Sequence, residues 1–185
     1  MWCYKNGCFT DFSSHPIKIL EIGSFEGLSS VWIAENMLND SASSMVCVDP
    51  FLTCNNDHSD VFTNKTEQNF LHNISVCKNG HKIKVMKMIS DDFFKVNTDV
   101  FDFIHVDGCH EPDVIVRDME SSFKVLKVGG IMWCDDYLGG PDVPDDQKPI
   151  KKAMDEWLNT RKENYNMIFN GYQIAIKKTS NADET

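Results

Sequence analysis

The chain has 185 residues, enough for one domain with a sizeable core. Apolar residues make up 42% and charged residues 25%, which excludes a disordered chain. Lys+Arg is 18 against Asp+Glu 28, a formal net charge of −10, which argues against a nucleic-acid phosphate backbone as partner. No run approaches the roughly 18 apolar residues of a membrane span, and the opening residues MWCYKNGCFTDF lack the apolar stretch of a signal peptide. The seven cysteines form no C-x-x-C pair and read as free thiols in a reducing, cytoplasmic setting. In that setting the sequons at Asn39, Asn64 and Asn73 carry no weight.

In chain order, Ile17–Ile22 is a short apolar run stopped by Gly23, which predicts a buried strand. A helix is expected from about Gly27 to Asn39, with Leu28, Val31, Trp32 and Leu38 on its inner side. Met45–Val48 is a second strand, closed by Asp49-Pro50. From Val61 to Cys77, Phe70, Leu71, Ile74 and Cys77 recur at helical spacing. Ile83–Met88 and Phe101–Val106 are further strands, and Glu111–Leu126 a helix with Ile115, Met119, Phe123 and Leu126 inward. Gly129-Gly130 introduces a strand over Ile131–Cys134. Ile150, Ala153, Met154, Trp157 and Leu158 follow the i, i+3, i+4, i+7, i+8 pattern of an amphipathic helix. Tyr165–Phe169 and Tyr172–Ile176, joined by Asn170-Gly171, read as an antiparallel hairpin, and the tail from Lys177 as frayed.

Strands alternating with helices predict a mostly parallel sheet covered on both faces. Ligands then sit at the carboxyl ends of the strands. At the first such end, Glu21 precedes Gly23 and Gly27, which let the chain turn sharply and a ligand approach closely. The spacing is neither G-x-G-x-x-G nor a Walker loop, so a pyrophosphate site is disfavoured, and the acidic strand end suits hydroxyls and an ammonium. At the second end, Asp49 can accept both hydrogen bonds of a ribose diol.

The run Ile19-Leu20-Glu21-Ile22-Gly23-Ser24-Phe25-Glu26-Gly27-Leu28-Ser29 resembles motif I of class I S-adenosylmethionine-dependent methyltransferases. Among these it is most similar to the metal-dependent O-methyltransferases of the catechol and macrocin types. The resemblance runs from Ile17 to about Ile176. It implies an α/β fold, a single Rossmann-like doubly wound sheet with an antiparallel C-terminal edge hairpin and strand order 3-2-1-4-5-7-6. One domain over 1–178 is expected, with a short arm over 1–16 and a polar tail over 179–185. It further implies S-adenosylmethionine contacts from Glu21, Gly23, Ser24, Phe25, Gly27, Ser29, Asp49, Phe51, Ser90, Asp91 and Asp107. Ser90 reads equally well as a helix N-cap, and Phe51 as a core residue.

Asp107 ends the fourth strand, and Asp135-Asp136 end the fifth. On adjacent parallel strands these three acids converge, and close carboxylates repel unless a cation lies among them. All-oxygen ligation suits a hard ion, Mg²⁺ or Mn²⁺. The resemblance places Asp107, Asp135 and Asp136 on the family's metal-ligand positions, with Asp136 where the catechol enzymes carry Asn. It places His110 where they carry a Lys base, and an imidazole can accept a proton near neutral pH. Catalysis is therefore expected from His110 and Asp107, while Cys109, Cys134 and His105 read as packing residues. The implied reaction is metal-assisted O-methylation of a small diol-bearing acceptor, a sugar or a catechol-like phenol. Two alternatives stay open: a cofactor-binding subunit with weak or no catalysis, and an RNA-directed methyltransferase, which the charge disfavours. The turn-rich Tyr137–Lys148 segment reads as a mobile lid. A homo-oligomer or a partner subunit completing the acceptor pocket is left open by the short N-terminal arm.

Overall fold

The computed structural model describes residues 15–52, 60–139, 143–144 and 147–181. Most of the N-terminal arm, part of the expected lid and the last four residues lie outside the described residues, as do Cys3, Cys8 and Cys54. The seven strands run in the order β3-β2-β1-β4-β5-β7-β6, the expected topology. The chain forms two compact units, Met1–Asn97 and Thr98–Thr185.

In the first unit β1 (Lys18–Ile22), β2 (Ser44–Val48) and β3 (Ile83–Met86) pair in parallel, with Ile22 opposite Val48 and Val48 opposite Met86. Helix α1 (Leu28–Met37) turns inward a face that differs from the expected one at Leu28, Val31 and Trp32, while Leu38, just past its end, is buried as expected. Ser30, Ile33, Ala34 and Met37 are buried, whereas Leu28 is 88% exposed. Apolar residues lie all round this helix, so periodicity could not choose a face. The choice is made at its ends: Gly27 enters in a left-handed turn (φ 87°), and the Ser30 hydroxyl donates to buried Glu21. Helix α2 (Asp60–Val76) buries Phe70 but leaves Leu71 exposed. Phe70 lies against Gly27, where an added Cβ would come within 2.9 Å of the ring, and 5.3 Å from the Phe51 ring. A 3-10 turn at Gly80–Lys82 was not anticipated. Lys82 Nζ closes the end of α1 by donating to the carbonyls of Leu38 (2.6 Å) and Asp40 (2.8 Å). A short helix α3 (Ser90–Val96) starts where Ser90 was offered as an N-cap; its N-cap is Ile89, so Ser90 is its first helical residue.

In the second unit β4 (Phe101–Val106) pairs in parallel with β5 (Leu126–Cys134), and β7 (Ile174–Lys178) pairs antiparallel with both β5 and β6 (Tyr165–Asn170). β5 starts at Leu126, five residues earlier than expected. Gly129 (φ 86°) and Gly130 lie within the strand, where the pairing with β4 shifts register. A Cβ at Gly130 would stand 2.9 Å from the Asp102 carbonyl, so the glycines permit an irregularity and do not precede the strand. Helix α4 (Pro112–Val125) buries Ile115, Met119 and Phe123 as expected. Helix α5 (Pro149–Thr160) buries Met154, Trp157 and Leu158. The hairpin turn has three residues, 171–173, because Asn170 pairs with Ile174. The tail is also ordered further than expected. Lys178 is 3% exposed, and its ammonium donates to the carbonyls of Phe123 (2.7 Å) and Leu126 (2.8 Å) at the end of α4. Among the described residues no helix is long and apolar enough to cross a membrane.

Candidate active site: a braced glycine turn and an acidic cluster

The first strand end is organised by Asp49. Its Oδ2 accepts the backbone amides of Ser24 and Phe25, both at 2.8 Å, and its Oδ1 accepts that of Phe51 at 2.6 Å. Phe25 (φ 46°) and Phe51 (φ 54°) are both left-handed, a conformation costly for bulky side chains. One carboxylate thus holds two strained positions, beside Gly23 (φ 82°) and Gly27 (φ 87°). Burial pushes the Asp49 carboxyl up, against the three amides, which favour its ionised form. Among the described residues the Ser24 hydroxyl is buried with no oxygen or nitrogen hydrogen-bond partner, beside the Cys47 thiol. Glu21 is fully buried, and Cys47 Sγ approaches its Oε2 at 3.3 Å on the side where Ser30 donates. Ser29, Ser90 and Asp91 are half-buried on the first turns of α1 and α3, and Phe51 is buried.

At the second site, Asp135 N donates to the Val106 carbonyl (3.0 Å), which carries the pairing with β4 one residue past the end of β5. Asp135 Oδ1 accepts the amide of Asp136 (2.7 Å), and Asp136 is left-handed (φ 54°). The three expected acids are divided between two overlapping groups. Asp107 belongs to two clusters of mutually close ligand atoms, one with His105 and Asp135, the other with His110 and Asp136. His110 Nε2 stands 3.0 Å from Asp136 Oδ2 and 3.7 Å from Asp107 Oδ1. Burial pushes the Asp107 carboxyl up, while pairing with His110 holds Asp136 down.

Tyr172, in the hairpin turn, was not singled out by the sequence. Its hydroxyl donates to Asp136 Oδ1 at 2.5 Å, and its carbonyl accepts the Leu138 amide at 3.0 Å. Its signal was hidden because the contact spans 36 residues and depends on the hairpin. Of the expected packing residues, Cys134 is buried, His105 is buried yet joins an acidic cluster, and Cys109 is only half-buried. Cys47, Cys77, Cys109 and Cys134 are free thiols.

The carboxylates set the charge of His110. Pairing with Asp107 and Asp136 outweighs desolvation and pushes the imidazole up to about 10. In protein free of divalent ions, His110 is therefore a cation at pH 7. The sign follows from linkage: the stability it contributes is complete below the unfolded value near 6.5 and lost as pH rises through about 10. An NMR titration of the imidazole with chelator present should show no deprotonation between pH 6 and 8. Asp136→Asn should bring the midpoint down. A wild-type midpoint near 6.5 would mean that the carboxylates do not hold the proton.

A family model described as a methyltransferase domain matches residues 20–137. The match runs from β1 past the end of β5 and takes in both strand-end sites. No curated protein matches the chain. Among solved structures, the O-methyltransferase TomG from Streptomyces achromogenes, determined with S-adenosylmethionine, superposes with a TM-score of 0.65 at 19% identity, covering 88% of this chain and 73% of TomG. A candidate rRNA methylase from Clostridium thermocellum gives 0.71 at 13% identity, covering 96% and 95%. The methyltransferase MycE of mycinamycin biosynthesis, determined with Mg and S-adenosylhomocysteine, gives 0.64 at 12%, covering 98% of this chain and 50% of MycE. The fold is that of a class I methyltransferase. The chain belongs to the methyltransferase-domain family and is an S-adenosylmethionine-dependent methyltransferase.

Proposed function

We propose that this methyltransferase transfers the methyl group to a hydroxyl of a small diol-bearing acceptor, a sugar or a catechol-like phenol, with help from Mg²⁺ or Mn²⁺. The observation that carries the reading is Asp107, shared by two clusters at the ends of paired strands, each with two carboxylates and one imidazole. Such a donor set fits a divalent cation, which offsets the repulsion among the acids. On the cofactor side, the buried Ser24 hydroxyl and the turn braced by Asp49 fit the polar part of S-adenosylmethionine. When bound, the cofactor supplies an electrophilic methyl group, and the cation lowers the pKa of a vicinal diol.

The chain's own residues position and deprotonate. Gly23, Ser24, Phe25, Gly27 and Ser29 take the methionine part, with Glu21 acting from beneath through its hydrogen-bonded neighbours. Asp49 holds the turn and meets the ribose with whatever acceptor capacity its three amide bonds leave. Phe51, Ser90 and Asp91 take the adenine side. Asp107, Asp135 and Asp136 would hold the cation, and Asp107 would border the reacting groups. With the acids neutralised, His110 falls back toward its ordinary range and accepts the hydroxyl proton at Nε2. The domain spans residues 1–178 and works in the cytoplasm, where its cysteines stay reduced.

Incubation with methyl-labelled S-adenosylmethionine and a panel of catechols and sugar diols tests this. Label should reach a hydroxyl with Mg²⁺ or Mn²⁺, disappear with EDTA and return with added ion. Unchanged transfer in EDTA overturns the metal role. The likeness to a candidate rRNA methylase favours a second reading, RNA as acceptor. Label entering RNA, with binding that weakens steeply in salt, would replace the diol reading.

A further inference from the structure

His105 looks at first like a core residue. It is 6% exposed, on a strand whose neighbouring positions are apolar. The pleat gives it a second character. Side chains at i and i+2 of a strand share a face, so His105 and Asp107 point the same way. His105 lies opposite Trp133 and Val106 opposite Cys134, so the next rung sets Asp107 opposite Asp135. A ring nitrogen of His105 and carboxylate oxygens of Asp107 and Asp135 consequently all lie within 4.8 Å of one another. Asp135 Oδ1 accepts the Asp136 amide, which fixes the orientation of this carboxylate.

We propose that His105 is a nitrogen ligand of the divalent cation, together with Asp107 and Asp135. The inference rests on the metal-assisted reading above and goes beyond it, because that reading used oxygen ligands alone. An imidazole changes which ion the site prefers. Mg²⁺ strongly favours oxygen donors and retains its waters. First-row transition ions accept imidazole nitrogen readily and bind mixed N/O sites more tightly. The site therefore selects Mn²⁺ over Mg²⁺ by about 10-fold or more. Asp107 belongs to both clusters, so a cation that it holds also lies beside the His110–Asp136 pair.

The test uses the full chain freed of metal by chelation, without acceptor or turnover. Mn²⁺ and Mg²⁺ affinities are measured by calorimetry, and the ligands of bound Mn²⁺ by pulsed electron paramagnetic resonance. Wild type should show ¹⁴N coupling to Mn²⁺ and weaker Mg²⁺ binding. The coupling should vanish in His105→Gln, with Mn²⁺ affinity down about 10-fold or more, and persist in His110→Gln. If Mn²⁺ binds without ¹⁴N coupling, or if only His110→Gln removes it, the inference is overturned while the metal reading stands. If no Mn²⁺ binds to wild type, the metal reading itself falls. Should His105→Gln fail to fold, wild type and His110→Gln decide: coupling in both supports His105, and its loss in His110→Gln overturns it.

Discussion

Replacing Asp49 by Ala should damage the protein twice. The substitution strands the backbone amides of Ser24, Phe25 and Phe51, each paired at 2.6–2.8 Å with a largely buried carboxylate. A hydrogen bond to a charged group contributes roughly 1.5–3 kcal/mol, and water reaching the opened turn recovers part of that. A net loss of about 3 kcal/mol is expected, or roughly 6–12 °C in melting temperature for a domain of this size. S-adenosylmethionine affinity should also fall by at least about 10-fold, since Phe25 and Phe51 lose what holds them left-handed. Calorimetry on the cofactor-free and cofactor-bound variant separates the two effects. An unchanged melting temperature with weakened binding would make Asp49 a ligand residue alone. Unchanged binding would remove it from the cofactor site.

Asp135→Asn is the sharper probe of the acidic site. An Asn carbonyl can still accept the Asp136 amide, now at 2.7 Å from Oδ1, so the left-handed turn at Asp136 should survive. What disappears is the negative charge available to a cation. Methyl transfer should fall about 10²–10³-fold, the scale of losing one electrostatic contact to developing charge. Cofactor affinity should remain within about twofold of wild type, because the cation serves the acceptor. Single-turnover transfer and equilibrium binding, measured side by side, check both halves. Full activity would return Asp135 to a structural role in the turn. Loss of cofactor binding would place it on the cofactor instead.

The sequence was most legible where one residue type has one physical use. Glycines at positions 23 and 27 adopt the left-handed turns expected of them, and Asp107, Asp135 and Asp136 fall at the ends of β4 and β5. The strongly patterned helices α4 and α5 buried the predicted residues Met119, Phe123, Met154 and Trp157. Where polarity did not repeat, the reading failed. Helix α1 offered no dominant apolar side, and Leu28 faces water while Ser30 is buried on Glu21. Helix α3, at seven residues, is too short for periodicity to register. The pair Gly129-Gly130 looked like a boundary, because local propensity cannot tell a turn from a bulge inside a strand.

Composition and strand–helix alternation alone determined that this is an α/β chain with acids at its strand ends, since burial pattern and turn chemistry are local properties. Tertiary structure alone decided how those acids are grouped. Asp107 was expected among three carboxylates; the structure sets it close to His105 and Asp135 in one group and to His110 and Asp136 in another. Tyr172 reaches Asp136 only because a hairpin returns the chain there. Asp49 was read as a ribose ligand and not as a brace, because two of its three amide partners lie 24 and 25 residues away. Such contacts are set by the pairing of distant strands, and no local pattern of residue types encodes them.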